Sequence, residues 1–147
     1  MIKKILVPLD GSALAEKALA HAEDLAKQFE AEVILVWVLH PLIVMSDYGS
    51  SSYQQIVALE QQEAKEYLVE KEIDLIKDEV AVHSKIMEGQ AAQAILDLAC
   101  REKVDLIVMS THGRSGLSRW IQGSVASKIL HHAPCPVYLV RVRESEC

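Results

Sequence analysis

A glycine-rich segment in the last third of the chain carries residues suited to holding phosphate. Residues 110–124 read STHGRSGLSRWIQGS and end on Ser124. Glycines leave backbone N–H groups open to phosphate oxygens, and a serine at a helix start adds a donor at the positive end of the helix dipole. An ordinary glycine-rich turn followed by a capping serine gives the same pattern. The segment favours the two interpretations equally.

A carboxylate ends the first predicted strand, in the sequence Asp10-Gly11-Ser12. It can accept hydrogen bonds from ribose hydroxyls, whereas it repels phosphates unless a cation intervenes. The alternative is an Asx turn that leads into the next helix. Asp10 is therefore a candidate sugar contact.

Two widespread nucleotide motifs are missing from the sequence. There is no G-x-x-x-x-G-K-[ST] and no G-x-G-x-x-G after the first strand, which argues against a P-loop NTPase and a dinucleotide dehydrogenase. The glycine-rich segment contains no Lys, Asp or Glu, and phosphoryl transfer needs such groups. Because only Asp10 and His112 are at hand for catalysis, we predict a protein that is not an enzyme, with at most weak ATPase activity.

Other polar residues near the segment have competing interpretations. His112 either stabilises bound phosphate or hydrogen-bonds its own turn, and the turn is favoured. Arg114 and Arg119 are equally consistent with triphosphate contacts and with plain surface charges. His131 and His132 suit the negative end of a helix dipole, and we predict no metal site there.

Hydrophobic patterning indicates the elements that position these residues. Continuous apolar runs at residues 5–7 and 33–39 predict interior parallel strands, and residues 104–109, apolar except for Asp105, predict another buried strand. A weaker alternating pattern at residues 80–87 predicts an edge strand, and residues 137–142 predict a closing strand.

Helical spacing fills the intervals between the strands. It predicts helices over residues 14–29, with Ser12 as the cap, over residues 53–77 and 91–100, and after a capping Ser124, with a long loop over residues 40–54 and a polar loop over residues 110–123. The apolar stripe predicted for the second helix consists of Ile56, Leu59, Ala64, Leu68, Leu75 and Ile76. The order β-α-β-α-β-α-β-α-β predicts an α/β fold with an open, doubly wound, five-stranded parallel sheet and helices on both faces. Ligands of such sheets bind beyond the carboxyl ends of the strands.

Length and charge narrow the possible partners. The chain has 147 residues, 5% aromatic residues and a formal net charge of -6, which predicts one domain over residues 1–147 with a core of Val, Ile, Leu and Ala. The charge argues against nucleic acid and anionic lipid as partners, and no apolar stretch is long enough to span a bilayer.

Three cysteines without a C-x-x-C pattern indicate neither disulfides nor zinc. We expect a cytoplasmic protein.

Several stretches of the chain resemble the universal stress protein family. They are KILVPLDGS at residues 4–12, VDLIVMSTHGRSG at residues 104–116, and GSVA at residues 123–126 followed by CPV at residues 135–137. They occur in the family's order and cover essentially the whole chain. The resemblance implies the strand order 3-2-1-4-5.

The ATP-binding branch of that family carries G-x2-G-x9-G-[ST] in the loop after the fourth strand. Gly113, Gly123 and Ser124 match its second half, while Ser110 stands at the first glycine, where its Cβ weakens the match. By the resemblance, Asp10 contacts the ribose, the backbone at Val38 contacts the adenine and Val125 contacts a phosphate. The predicted nucleotide-binding residues are Pro8, Asp10, Val38, Ser110, Gly113, Arg114, Gly123, Ser124 and Val125.

The resemblance implies a stress-response protein that binds ATP or another adenine nucleotide, with Mg²⁺, and acts through its conformation or choice of protein partner. The alternative is a protein-interaction module of the same fold that binds no nucleotide.

In the implied strand order Val137–Val142 is an edge strand, which exposes unpaired backbone groups and predicts a homodimer through that edge. A monomer protected by its charged carboxyl-terminal tail is the other possibility.

Overall fold

The computed structural model describes residues 1–39, 50–112 and 124–142, with side chains described for all of these except residues 50, 51, 112, 124 and 142. Strands and helices alternate along them, as the sequence predicts. The elements are β1 (Lys4–Pro8), α1 (Ala13–Phe29), β2 (Glu32–Leu39), α2 (Ser50–Lys77), β3 (Val82–Glu88), α3 (Ala91–Arg101), β4 (Leu106–His112), α4 (Ser124–His132) and β5 (Val137–Val142).

The five strands form one parallel sheet in the order β3-β2-β1-β4-β5. This confirms the predicted fold class and strand order, with β3 and β5 at the two edges. Interior strands are covered on both faces, which explains the continuous apolar runs of β1 and β2. Ile5, Leu6 and Val7 are all fully buried although they point alternately to opposite faces.

Helices cover both faces of the sheet. On one face α1 and α2 pack against residues such as Val7 and Leu35, and on the other α3 and α4 pack against residues such as Leu6 and Ile34. Both layers are built from aliphatic side chains and alanines, as the composition predicts. The crossovers bring the carboxyl ends of all five strands to one edge of the sheet.

Two predicted loops are shorter than expected. Residues 110–112 belong to β4 because Ser110, Thr111 and His112 pair with residues 140–142 of β5, and this pairing outweighs their polar character. Helix α2 begins at Ser50, so residues 50–54 are helical and only residues 40–49 of the predicted loop lie outside the described residues. The described part of α4 begins at Ser124, and because the residues before it and its side chain lie outside the described part of the structure, the cap at Ser124 stays a prediction.

Half of the stripe predicted for α2 faces solvent. Ala64, Leu68 and Leu75 are buried, whereas Leu59 is 71% exposed and Ile76 is 59% exposed. Successive helical residues are separated by about 100°, so Ile76 cannot share the buried position of Leu75. Helix α2 therefore combines a narrow buried stripe with exposed apolar side chains.

Candidate functional site

The described residues of the predicted site meet at the carboxyl edge of three neighbouring strands. Pro8, the last residue of β1, pairs with Val36, two residues before Val38 in β2. On its other side β1 pairs Leu6 with Ile107, three residues before Ser110 in β4. Asp10 lies two residues after the end of β1. The order β2-β1-β4 thus brings Pro8, Asp10, Val38 and Ser110 to one edge.

Of the other predicted residues, only Val125 is described in full. Gly113, Arg114 and Gly123 lie outside the described residues. Ser124 is described only in its backbone, as the first residue of α4. Val125 follows it in the first turn and is half-buried against the α3 and α4 layer of the core. The predicted phosphate-binding segment is therefore seen only at its two ends.

Asp10 forms the Asx turn that was the structural alternative for it. The N–H of Ser12 donates to Asp10 Oδ1 (2.9 Å), and Gly11 between them has φ +85°. The N–H of Ala15 donates to Ser12 Oγ (3.1 Å), which confirms Ser12 as the cap of α1. Asp10 is half-exposed, and its Oδ2 has no hydrogen-bond partner within the described ranges. One carboxylate oxygen holds the turn, and the other is available to a ligand.

Ser110 lies near the carboxyl end of β4 and is a buried polar residue, only 6% exposed. Its Oγ is shielded from solvent and has no hydrogen-bond partner among the residues described. A buried hydroxyl without a partner costs about 1–3 kcal/mol, so such groups normally find one. The hydroxyl at this edge therefore fits a polar ligand atom or the segment that follows β4.

Pro8 and Val38 form an apolar floor beneath this edge. Both are buried, and the Val38 side chain, 3% exposed, packs in the core on the α3 and α4 face. A ligand above the edge cannot reach that side chain. Any contact between Val38 and a base must therefore come from its main chain, as the sequence resemblance implies.

An aromatic and charged cluster supports the Asp10 turn from below. The rings of Trp37 in β2 and Tyr67 in α2 pack edge to face with centroids 5.5 Å apart. The Tyr67 hydroxyl donates to Glu16 Oε1 in α1 (2.5 Å), and Lys71 Nζ lies 3.1 Å from the same oxygen. Lys71 Nζ also lies 5.3 Å from the centre of the Tyr67 ring. The cluster joins β2, α1 and α2.

The cluster carries a charge-assisted hydrogen bond at neutral pH. Burial, followed by the hydrogen bond to Glu16, raises the pKa of Tyr67. The Tyr67 hydroxyl is the main cause that holds the pKa of Glu16 below its usual range, and Lys71 adds to it. Tyr67 is therefore a protonated donor and Glu16 an ionised acceptor, a stronger pairing than between neutral groups.

Sequence reasoning missed this cluster. Tyr67 and Lys71 lie on the same helical stripe as the buried Ala64, Leu68 and Leu75, at spacings of three and four residues. A polar side chain on the buried stripe of an otherwise amphipathic helix is the signal that could have found them. Its partners in α1 and β2 are distant in sequence, and no local pattern connects them.

Two of the grooves on the described surface lie away from the candidate site. One, of about 640 Å³, runs between α1 and β5 and is lined by residues that include Lys17, His21 and Arg141. The other, of about 750 Å³, lies at the opposite, amino edge of the sheet, where Glu30, Glu32, Asp78 and Glu79 outnumber two lysines. None of the predicted site residues that the structure describes lines either groove. Acidic side chains make the amino-edge groove unfavourable for a polyphosphate.

The described residues offer neither a metal site nor a membrane span. Over residues 1–39, 50–112 and 124–142, no group of three or more His, Cys, Asp or Glu side chains is arranged to hold a metal ion. No helix within those same ranges is both long and apolar enough to cross a membrane.

Comparisons with known proteins agree with the fold and with the motifs. The family model described as "Universal stress protein family" matches residues 1–141. A universal stress protein of Methanocaldococcus jannaschii is 36% identical over 99% of this chain and 86% of its own. The solved structure of the protein MJ0577 is 30% identical and covers 99% of both chains with a TM-score of 0.83.

More distant solved structures share the fold. The universal stress protein UspA of Lactobacillus plantarum is 25% identical, with a TM-score of 0.83 over 95% of this chain and 97% of its own. Among the structures of lower identity are a universal stress protein in complex with cAMP (21%) and one from Arabidopsis thaliana with AMP bound (18%), with TM-scores of 0.66 and 0.65. They cover 95% and 97% of this chain and 97% and 93% of their own. The family model and the M. jannaschii relative show that this chain belongs to the universal stress protein family.

Proposed function

We propose that this protein binds an adenine nucleotide, ATP in the first place, at the carboxyl edge of its sheet and acts as a regulatory protein in a stress response. Binding would change its conformation or its choice of protein partner. We assign it no catalytic residue, and its cytoplasmic location and its extent as one domain over residues 1–147 stay predictions.

The observation that carries this proposal is the alignment of Asp10, Val38 and Ser110 at one edge of β2, β1 and β4. It supplies a carboxylate oxygen for ribose hydroxyls, a strand end for the base and a buried hydroxyl beside the segment that leads to α4. Universal stress proteins of the same fold bind cAMP and AMP, which supports the choice of an adenine nucleotide.

The residues of this edge fit a nucleotide bound with Mg²⁺. Magnesium usually binds through the phosphates of a nucleotide with few protein ligands, so Asp10 is assigned to the sugar. In this assignment Gly113, Gly123, Ser124 and Val125 surround the phosphates, and Arg114 adds positive charge.

Isothermal titration with ATP, AMP and cAMP, with and without Mg²⁺, tests the proposal. We expect saturable binding of at least one of them, and adenine absorbance released from freshly purified protein by denaturation. If the protein releases no adenine and binds none of the three nucleotides, the proposed function is wrong.

The variants Gly113→Val and Gly123→Val test where the nucleotide binds. Each adds a branched side chain where phosphate oxygens would lie, so each should abolish binding and leave the folded state intact. Circular dichroism checks folding. Full ATP affinity in both folded variants would show that the nucleotide binds elsewhere.

The second candidate is a protein-interaction module of the same fold that binds no nucleotide. Exposed apolar side chains on α2 favour it, among them Leu59 (71% exposed) and Ile76 (59%). Ser110 in place of the first motif glycine also favours it. The absorbance measurement separates the two candidates, because an interaction module releases no adenine.

We also propose that the protein forms a homodimer through Val137–Val142. Strand β5 is an edge strand of the sheet, and Tyr138 on it is 41% exposed. A second copy could pair antiparallel with this edge about a two-fold axis. Sedimentation of the parent and of Tyr138→Pro, which loses a backbone donor, tests the interface. A folded Tyr138→Pro variant that dimerises as well as the parent would rule out this edge.

A further inference from the structure

The turn that carries Asp10 is held by residues that belong to neither the sugar-binding nor the phosphate-binding set. We propose that Trp37, Tyr67 and Glu16 are positioning residues, which set the Asp10 carboxylate for ribose recognition. This inference rests on the proposed nucleotide binding. It assigns part of the selectivity for the sugar to α2, a helix without predicted ligand contacts.

Trp37 of β2 supports the turn from the side of the sheet. A Cβ on Gly11 would lie 2.9 Å from Cη2 and 3.3 Å from Cζ3 of its ring, so the ring fills the space beside Gly11 in which a side chain would lie. Trp37 is 8% exposed and packed in the core, which leaves the ring no room to withdraw. The ring therefore limits how closely the backbone at Gly11 can approach the sheet.

Tyr67 of α2 supports the same turn through α1. Its ring packs on Trp37, and its hydroxyl donates to Glu16 in the first turn of α1. The N–H of Glu16 donates in turn to the carbonyl oxygen of Ser12 (3.3 Å). Ser12 is also the residue whose N–H binds Asp10 Oδ1. A closed chain of contacts therefore runs from Trp37 through Tyr67, Glu16 and Ser12 to Asp10.

Asp10 has one oxygen, Oδ2, left for a ligand. The direction in which Oδ2 points depends on this chain of contacts. With Oδ1 bound to the Ser12 N–H, the position of Ser12 determines where Oδ2 points. Hydrogen bonds weaken steeply when their angle departs from linearity, so a small shift of the turn affects a ribose contact. Asp10 also lies within electrostatic range of the phenol: after burial and Glu16, its charge contributes to the raised pKa of Tyr67.

Simple core packing is the competing explanation, and it predicts a different result. If the cluster only stabilises the fold, its loss should weaken the binding of every adenine nucleotide to a similar degree. If the cluster positions Asp10, its loss should weaken the contact with the ribose hydroxyls selectively. The informative quantity is therefore the Kd for 2′,3′-dideoxy-ATP divided by the Kd for ATP, here called the ribose ratio.

The experiment is titration of the full chain with both nucleotides at fixed salt and Mg²⁺. Tyr67→Phe keeps the ring on Trp37 and removes only the donor to Glu16. We expect its ribose ratio to fall by about three- to tenfold relative to the parent, the value of one lost hydrogen bond. Tyr138→Phe is the matched control, because its hydroxyl contacts His21 Nδ1 at 3.3 Å on the β5 edge. Its ribose ratio should equal that of the parent.

A second variant covers the case in which Tyr67→Phe does not fold. Glu16→Gln keeps an acceptor for Tyr67 but removes the charge, so its ribose ratio should lie between those of Tyr67→Phe and the parent. An unchanged ratio in either folded variant overturns the inference. A parent that binds both nucleotides equally overturns it too, because no ribose contact then exists to be positioned, although nucleotide binding stands. A parent that binds neither overturns the proposed function itself.

Discussion

The two edges of the sheet use aspartates in different ways. At the amino edge, Asp105 Oδ2 accepts hydrogen bonds from the N–H groups of both Lys3 (2.8 Å) and Lys4 (3.0 Å). At the carboxyl edge, Asp10 accepts one from Ser12 through Oδ1, and its other oxygen has no partner within the described part of the chain. Asp105 thus joins the amino end of β1 to the start of β4 through two backbone hydrogen bonds to one oxygen, whereas Asp10 accepts a single hydrogen bond within its own turn.

The surrounding groups repeat this contrast. At the amino edge Lys4 lies 3.6 Å from Glu32 and 3.7 Å from Glu102, and Lys85 also pairs with Glu102. At the carboxyl edge an aromatic pair packs beneath a glycine turn, and Ser110 Oγ stays without a partner among the described residues. Ion pairs are therefore characteristic of the amino edge, whereas the buried Ser110 hydroxyl without a partner among the described residues at the carboxyl edge indicates where a polar ligand atom would bind.

The largest expected effect on stability comes from adding one methyl group at the carboxyl edge. Gly11→Ala places a Cβ against the Trp37 ring at a residue with φ +85°, and both effects are unfavourable. We expect a loss of about 2–4 kcal/mol in the free energy of unfolding, measured by urea denaturation.

Trp37→Phe provides the matched background for this test, because it removes the ring atoms that the new Cβ would meet. Gly11→Ala should then cost at least ~1 kcal/mol less than in the parent. Costs that simply add in the double variant would show that the ring does not restrict the turn. Gly89→Ala reports on backbone strain alone, because Gly89 has φ +125° and nothing within 4 Å of a built Cβ.

The next largest effect should separate the two aspartates. Asp105→Asn weakens two charge-assisted hydrogen bonds at the amino edge and should cost about 1 kcal/mol. Asp10→Asn preserves an Asx turn, so its stability should stay near that of the parent. Its affinity for ATP should fall more than its affinity for 2′,3′-dideoxy-ATP. Equal losses for both nucleotides would remove Asp10 from the sugar, and equal losses of stability in the two variants would remove the contrast between the edges.

Much of this fold can be predicted from sequence because its elements have local signals. The continuous apolar run of β1 and the capping Ser12 predict a strand and a helix start, and both are confirmed. The strand order came from the family resemblance and is also confirmed. The candidate site could be predicted in part. The rule that ligands bind at the carboxyl ends of parallel strands, together with the motif spacing, selects Asp10 and Ser110.

The errors arose where distant segments decide the structure. Residues 110–112 look like a loop but pair with β5, about thirty residues farther along the chain. The contact between Trp37 and Tyr67 depends on how α2 crosses the sheet, which no local spacing encodes. Ile76 faces solvent, because it lies about 100° around α2 from the buried Leu75 and only one side of α2 meets β2 and β3.

The smallest expected effect is a loss of stability at low pH, to which one carboxyl group at each edge contributes. The Tyr67 hydroxyl, with Lys71, lowers the pKa of Glu16, and the N–H groups of Lys3 and Lys4 lower the pKa of Asp105. A carboxyl whose pKa is lower in the folded state contributes stability above its unfolded pKa and loses it as the pH falls through its folded pKa. The free energy of unfolding should therefore decrease between about pH 5 and pH 3.

Two variants divide this loss between the edges. Tyr67→Phe removes the main cause of the lowered pKa of Glu16, and Asp105→Asn removes a titrating group altogether. Each should lose less stability on acidification than the parent, by about 0.5 kcal/mol or less, because the Glu16 side chain is 36% exposed and Asp105 lies near solvent. Tyr138→Phe should follow the parent at every pH. If the Tyr67→Phe curve runs parallel to that of the parent, the hydrogen bond to Glu16 contributes nothing to the carboxyl edge, and acid stability comes from the amino edge alone.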